Sequence, residues 1–195
     1  MIVFAVLFEL GLGLVGCVAA AIAGVEIAAT VDLTPWGLAL GVAAALPMLA
    51  VIGTLDRFEL AWLDRISELV EQALAQLFSD ASPSQIIAAS LAAGIGEELL
   101  FRGFLQNLFV GWTGEIAGLV IASIGFGLIH AMTFGYAVVA GILGLYLGAL
   151  YLWTGNLFVP IIAHAVYDAV AIAWMLENPR TLEPPPPVED ADTSQ

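Results

Sequence analysis

The chain has 195 residues, 61% of them hydrophobic, and a mean hydropathy of +1.00; soluble domains are only about half apolar, so this sequence reads as an integral membrane protein. Lysine is absent, arginine occurs four times and the formal net charge is −14, which argues against nucleic acid as a partner and against an electrostatic grip on anionic lipid. The single cysteine, Cys17, permits no internal disulfide and leaves the redox compartment unread.

In chain order, the first apolar run extends from Ile2 to Val25 with only Glu9 interrupting it. It has no basic segment before it and reads as a spanning helix, not a signal peptide. Glu9 is expected near enough to the membrane edge to reach water, and Cys17 is expected to behave as a small apolar residue. Five further runs approach the roughly 20 residues needed to span a bilayer: 35–55, 84–110, 116–134, 136–153 and 157–176. Between the second and third, Leu63, Ile66, Val70, Leu74 and Leu77 share one helical face, with Asp64, Glu68 and Glu71 elsewhere. That pattern predicts an amphipathic helix lying along the membrane interface. Ser82, Pro83 and Gln85 predict a capping box at the start of the third span, and Thr34-Pro35 opens the second in the same way. Gly141, Gly144 and Gly148 give the fifth span a small face for close helix packing. Trp36, Trp112 and Trp153 fall near span ends, where amphipathic aromatics anchor.

The expected fold is all-α, a polytopic membrane bundle of about six transmembrane helices plus the interfacial helix. Its organisation divides into two N-terminal spans over 1–55, the amphipathic helix and linker over 56–83, a four-helix core over 84–176 and a disordered, proline-rich acidic tail over 177–195. Arg57, Arg65 and Arg180 follow the second and sixth spans, so the positive-inside bias places both termini in the cytoplasm.

Ionisable groups inside such spans mark function by default. Glu98 and Arg102 are four apart with the acid leading, the favourable order for a helical ion pair. Glu97 is rotated about 100° from Glu98 and remains free of that pair. Phe126 and His130 are one turn apart in the fourth span, as are His164 and Asp168 in the sixth. A histidine relays protons near neutral pH, and a neighbouring acid fixes its tautomer or raises its basicity. Either histidine alone would read as a packing residue; two histidines and three carboxylates in otherwise uncharged spans read as one polar site.

The order EExxxR (Glu97, Glu98, Arg102), FxxxH (Phe126, His130) and HxxxD (His164, Asp168) resembles the CAAX protease and bacteriocin-processing (CPBP, or Abi) family of intramembrane proteases. The flanking text GEELLFRGFLQ at 96–106, FGLIHA at 126–131 and GNLFVPIIAHAVYD at 155–168 extends the likeness over residues 84–176. The resemblance implies a membrane-embedded glutamate endopeptidase that uses neither cofactor nor metal. In it Glu97 and His130 activate water, His164 and residue 168 hold the substrate carbonyl and its oxyanion, and Glu98, Arg102 and Phe126 organise the site. Where the prenyl-protein endopeptidases of that family carry asparagine, this chain carries Asp168, which when ionised cannot donate to an oxyanion. Either its apolar site keeps Asp168 protonated, or Asp168 accepts from His164 and leaves donation to the imidazole, the second being the less costly arrangement.

The resulting expectation is hydrolysis of a peptide bond in a membrane-associated or lipidated protein or peptide within the bilayer. A zinc-dependent variant ranks second among enzymatic readings, because the ligand types are present but no HExxH spacing is. The competing non-enzymatic reading is a bacteriocin-immunity or partner-binding protein retaining the fold. A proton-coupled carrier is disfavoured by the absence of an inverted repeat.

Overall fold

The computed structural model describes residues 1–55 and 61–178. Among these the chain is helical with no strand, an integral membrane bundle. Four helices are long and apolar enough to cross a bilayer: α1 (Ile2–Ala23), the continuous helix Pro83–Thr113, α7 (Phe134–Thr154) and α8 (Phe158–Glu177). The other two expected spans form α2 (Pro35–Leu55) and α6 (Glu115–Ile129). Their apolar stretches, Pro35–Val51 and Glu115–Ile129, are shorter than 18 residues. Residues 56–60 and 179–195 lie outside the described residues, and with them Arg57, Arg180, the start of the expected linker and most of the acidic tail.

Local chemistry sets the helix boundaries. Ser82 accepts from the Gln85 amide while the Gln85 side chain accepts from the Ser82 amide, the reciprocal box read from the sequence, with Pro83 at the first helical position. Thr34 Oγ1 likewise accepts from the Gly37 amide at 3.1 Å. At the opposite end of the bundle Asn156 exchanges two hydrogen bonds with the Asp32 backbone, and the Leu157 amide donates to the Thr30 carbonyl, tying the α1–α2 loop to the α7–α8 loop. Trp36, Trp112 and Trp153 all sit at this end and all are exposed, as interfacial aromatics should be.

The helix Pro83–Thr113 departs from the expected uniform span. It comprises α4 (Pro83–Glu98), a π-helical stretch over Leu99–Gln106 and α5 (Asn107–Thr113). Single π-turns inside α-helices recur at functional sites, and here the distortion begins one residue after the glutamate pair. The Asn107 side chain donates to the carbonyls of Arg102 (3.1 Å) and Gly103 (2.9 Å), satisfying acceptors at the point where α-geometry resumes.

α4 is the centre of the bundle, packed between α1 and α8; α2 covers the other side of α8, and α6 packs with α7. Gly96 permits the α1–α4 approach, since a Cβ there would run into the backbone of Glu9. The expected amphipathic helix is α3 (Ala61–Phe78), but its apolar face is not simply laid on a membrane surface. α3 packs across α7 and α8, and Leu63, Ile66, Val70 and Leu74 line a cavity between them. Glu71, expected off the apolar face, is buried.

Candidate active site

The π-helical stretch presents Arg102 and Gln106 toward α7, both buried. Arg102 Nη2 donates to the Gly144 carbonyl at 2.8 Å, and Gln106 Nε2 donates to the Gly148 carbonyl at 3.0 Å. Two side chains four residues apart thus bond two carbonyls four residues apart. The expected small face of α7 is what admits them, because a Cβ at Gly144 or Gly148 would press on Arg102, Phe126 or Gln106. The guanidinium carbon also lies 4.5 Å from the centre of the Phe126 ring.

Glu98 is fully buried and pairs with Arg102 Nη1 through Oε1, as the spacing predicts. The same oxygen lies 2.9 Å from His164 Nδ1. On its other side His164 Nε2 stands 3.5 Å from Asp168 Oδ2. His164 is therefore held between two carboxylates, one from α4 and one a turn along its own helix, and Glu98 bridges the arginine to the histidine.

Glu97, one residue earlier, faces elsewhere. Its Oε2 is buried, has no hydrogen-bond partner among the described residues and lies 3.6 Å from His130 Nε2. His130 is not inside the fourth span as expected: α6 stops at Ile129 and His130 caps it with φ −93° and ψ 8°. The imidazole stays one turn above Phe126, with ring centres 4.5 Å apart, and its Nδ1 lies 2.9 Å from the Phe126 carbonyl. A carbonyl only accepts, so Nδ1 carries a proton, and Nε2 is the nitrogen turned toward Glu97.

All of this faces a cavity of about 290 Å³ lined by Glu97, Phe126, His130, His164 and Asp168. Its remaining walls are mostly aliphatic, contributed by α3, α7 and α8, with Tyr136 and Tyr167 among them. Arg102 and Glu98 lie behind the lining, so the seven residues singled out from the sequence fall into an inner pair and a cavity-facing set. No three His, Cys, Asp or Glu side chains among the described residues are grouped as metal ligands would be.

Glu9 adds to the sequence reading. It faces the bundle: about 10 Å along α1 at 1.5 Å per residue, its backbone lies against Gly96, and the half-buried side chain has Oε2 enclosed and unpartnered among the described residues. Its carboxylate is within electrostatic reach of Glu97, His130, His164 and Asp168. A charge inside a span is the signal that could have found it. Gln106 and Asn107 carried no such signal, since their role depends on the π-distortion.

Residues 79–170 match the family model described as type II CAAX prenyl endopeptidase Rce1-like. The uncharacterized protein YpbD of Bacillus subtilis (strain 168) is 40% identical over 95 residues, 49% of this chain and 48% of that protein. The chain thus spans about half the length of the curated relative it matches. No solved structure matches it. Every member of the glutamate, arginine and histidine constellation falls within the matched segment, and over residues 79–170 the chain is similar to the Rce1-like type II CAAX prenyl endopeptidases.

Proposed function

We propose that this protein is an intramembrane endopeptidase acting on a membrane-associated or lipidated protein or peptide. The reading is carried by the division of labour between adjacent glutamates: Glu98 is consumed by Arg102 and His164, whereas Glu97 faces the cavity with His130 Nε2 at 3.6 Å. That separation is too long for a direct hydrogen bond and suits a water held between the two groups. Glu97 accepts a proton from the water as its oxygen adds to the scissile carbonyl carbon, with His130 orienting the water. The carbonyl π-pair moves to oxygen, the oxyanion collapses, the C–N bond breaks, and Glu97 returns the proton to the leaving amine. A mostly aliphatic cavity that meets polar groups only at its inner end suits a substrate delivered from the membrane.

The cavity lies at the end of the bundle covered by α3, which bears Arg65. With the arginine bias, that end faces the cytoplasm and both termini lie there.

The test compares protein termini, by mass spectrometry, in membranes of cells expressing the native chain or Glu97→Gln. The expected result is a set of new termini that vanish in the variant, with a rate loss of about 10²–10⁴ for a general base. Equal termini from two folded, equally abundant proteins would refute proteolysis and favour the immunity or partner-binding reading.

A further inference from the structure

We infer that Tyr136 is a further catalytic residue, its phenol donating the hydrogen bond that steadies the oxyanion formed at the scissile carbonyl. The inference rests on the proteolytic reading above and addresses what that reading leaves short. The addition of water turns the carbonyl oxygen into an anion, which demands donors placed where the charge develops. Asp168, ionised, offers acceptors only. His164 Nδ1 is taken by Glu98 at 2.9 Å, which leaves Nε2, 3.5 Å from Asp168 and outside hydrogen-bond geometry, as the one donor it can turn to the cavity. Arg102 is spent on Glu98 and the Gly144 carbonyl behind the cavity wall. The groups named from the motifs therefore leave the cavity rich in acceptors, with His164 Nε2 as a single donor where an oxyanion has room for more than one.

Tyr136 fills that deficit. It lines the cavity together with Glu97, His130, His164 and Asp168. Its ring meets the His130 ring edge-on with centres 6.4 Å apart, and its phenol is within electrostatic reach of Asp168 and Glu97. The backbone beneath it is fixed, because the Tyr136 amide donates to Thr133 Oγ1 at 3.0 Å in the cap of α7. No hydrogen bond among the described residues takes up its hydroxyl. The hydroxyls of Tyr146 and Tyr151, in contrast, are engaged, one donating to the Ala44 carbonyl and the other accepting from Asn107, each at 2.9 Å. Tyr167 also lines the cavity and lies within electrostatic reach of Asp168, but its ring packs on the apolar cluster of Ala44, Met48, Leu147, Val159 and Ala163 and, unlike that of Tyr136, stacks on neither histidine ring. The hydroxyl of Tyr136 keeps its proton throughout; it donates a hydrogen bond to the oxyanion and is left as it began.

The test uses a quenched fluorogenic peptide spanning the cleavage site found in native membranes, with full-length purified protein. Tyr136→Phe is expected to lower kcat by about 10²-fold, the scale of losing one oxyanion donor, with KM changed less than about threefold and the melting temperature unchanged. Tyr167→Phe is the competing variant, and Tyr146→Phe, whose hydroxyl is engaged outside the cavity, is expected to keep native kcat. Native kcat in Tyr136→Phe, a loss confined to KM, a loss matched by a fall in melting temperature, or a kcat loss that follows Tyr167 instead would each overturn the assignment. Failure of the native protein to cleave anything, or cleavage that persists in Glu97→Gln, is a failure of the proteolytic reading itself and is seen before Tyr136 is examined.

Discussion

Replacing Arg102 by methionine tests how the buried charges are held. Arg102 and Glu98 side chains are 2% and 0% exposed, so removing the guanidinium strands a carboxylate where water does not reach it. Breaking such a pair costs about 3–5 kcal/mol. His164 Nδ1, 2.9 Å from the same Glu98 oxygen, remains as a partner and places this case at the lower end, near 3 kcal/mol. The Gly144 carbonyl loses its donor as well, adding about 1 kcal/mol. Arg102→Met should therefore cost about 4 kcal/mol, read as a shift in unfolding midpoint on titrating detergent-solubilised protein with sodium dodecyl sulfate. Neutralising the partner supplies the decisive comparison, because removing both charges of a buried pair is close to neutral. Arg102→Met with Glu98→Gln should be more stable than Arg102→Met alone, ending within about 1–2 kcal/mol of native. A single substitution costing less than about 1 kcal/mol, or a double substitution no more stable than the single one, would refute the argument that the pair is held by mutual neutralisation.

Two further outcomes follow from packing. Gly96→Ala should destabilise by at least about 1–3 kcal/mol, because the new methyl meets the main chain of Glu9, which has no side-chain freedom with which to yield; Gly11→Ala, with nothing near its Cβ, should be silent in the same unfolding assay. Ile66→Ser with Val70→Ser should raise KM for the fluorogenic peptide several-fold with little change in kcat, since both residues wall the cavity; unchanged KM would mean that α3 does not contact substrate.

The helices were legible because their signals are local. A run of apolar residues of the right length, Ser82-Pro83-Ser84-Gln85, and the apolar face from Leu63 to Leu74 each determine an element without reference to the rest of the chain. The pairing of Glu98 with Arg102 was legible for the same reason, being a contact within one turn. The bridge from Glu98 to His164 spans 66 positions, and no periodicity in one helix specifies it. The π-helix was hidden for a related reason: LLFRGFLQ has no proline or other local mark of distortion, and its geometry follows from two inward polar side chains finding the carbonyls of Gly144 and Gly148 on another helix. His130 at the end of α6 illustrates the limit of hydropathy, which continues to Met132 although the hydrogen-bonded helix has already closed on Gly127 and Leu128.

Glu9 joins these observations. A carboxylate in α1, outside the segment that the family match covers, faces the same cluster because Gly96 lets α1 approach α4 one residue before Glu97. The side chain is half-buried, with one carboxylate oxygen, Oε2, enclosed and without a hydrogen-bond partner among the described residues. Its effect on the site is electrostatic, a fourth acid beside Glu97, Glu98 and Asp168 facing two histidines and one arginine. His164 stands between two of these acids, its nitrogens turned to Glu98 and Asp168. The helix outside the matched segment thus brings a carboxylate within electrostatic reach of the motif residues, and the candidate site draws on five helices, α1, α4, α6, α7 and α8, rather than on the matched segment alone.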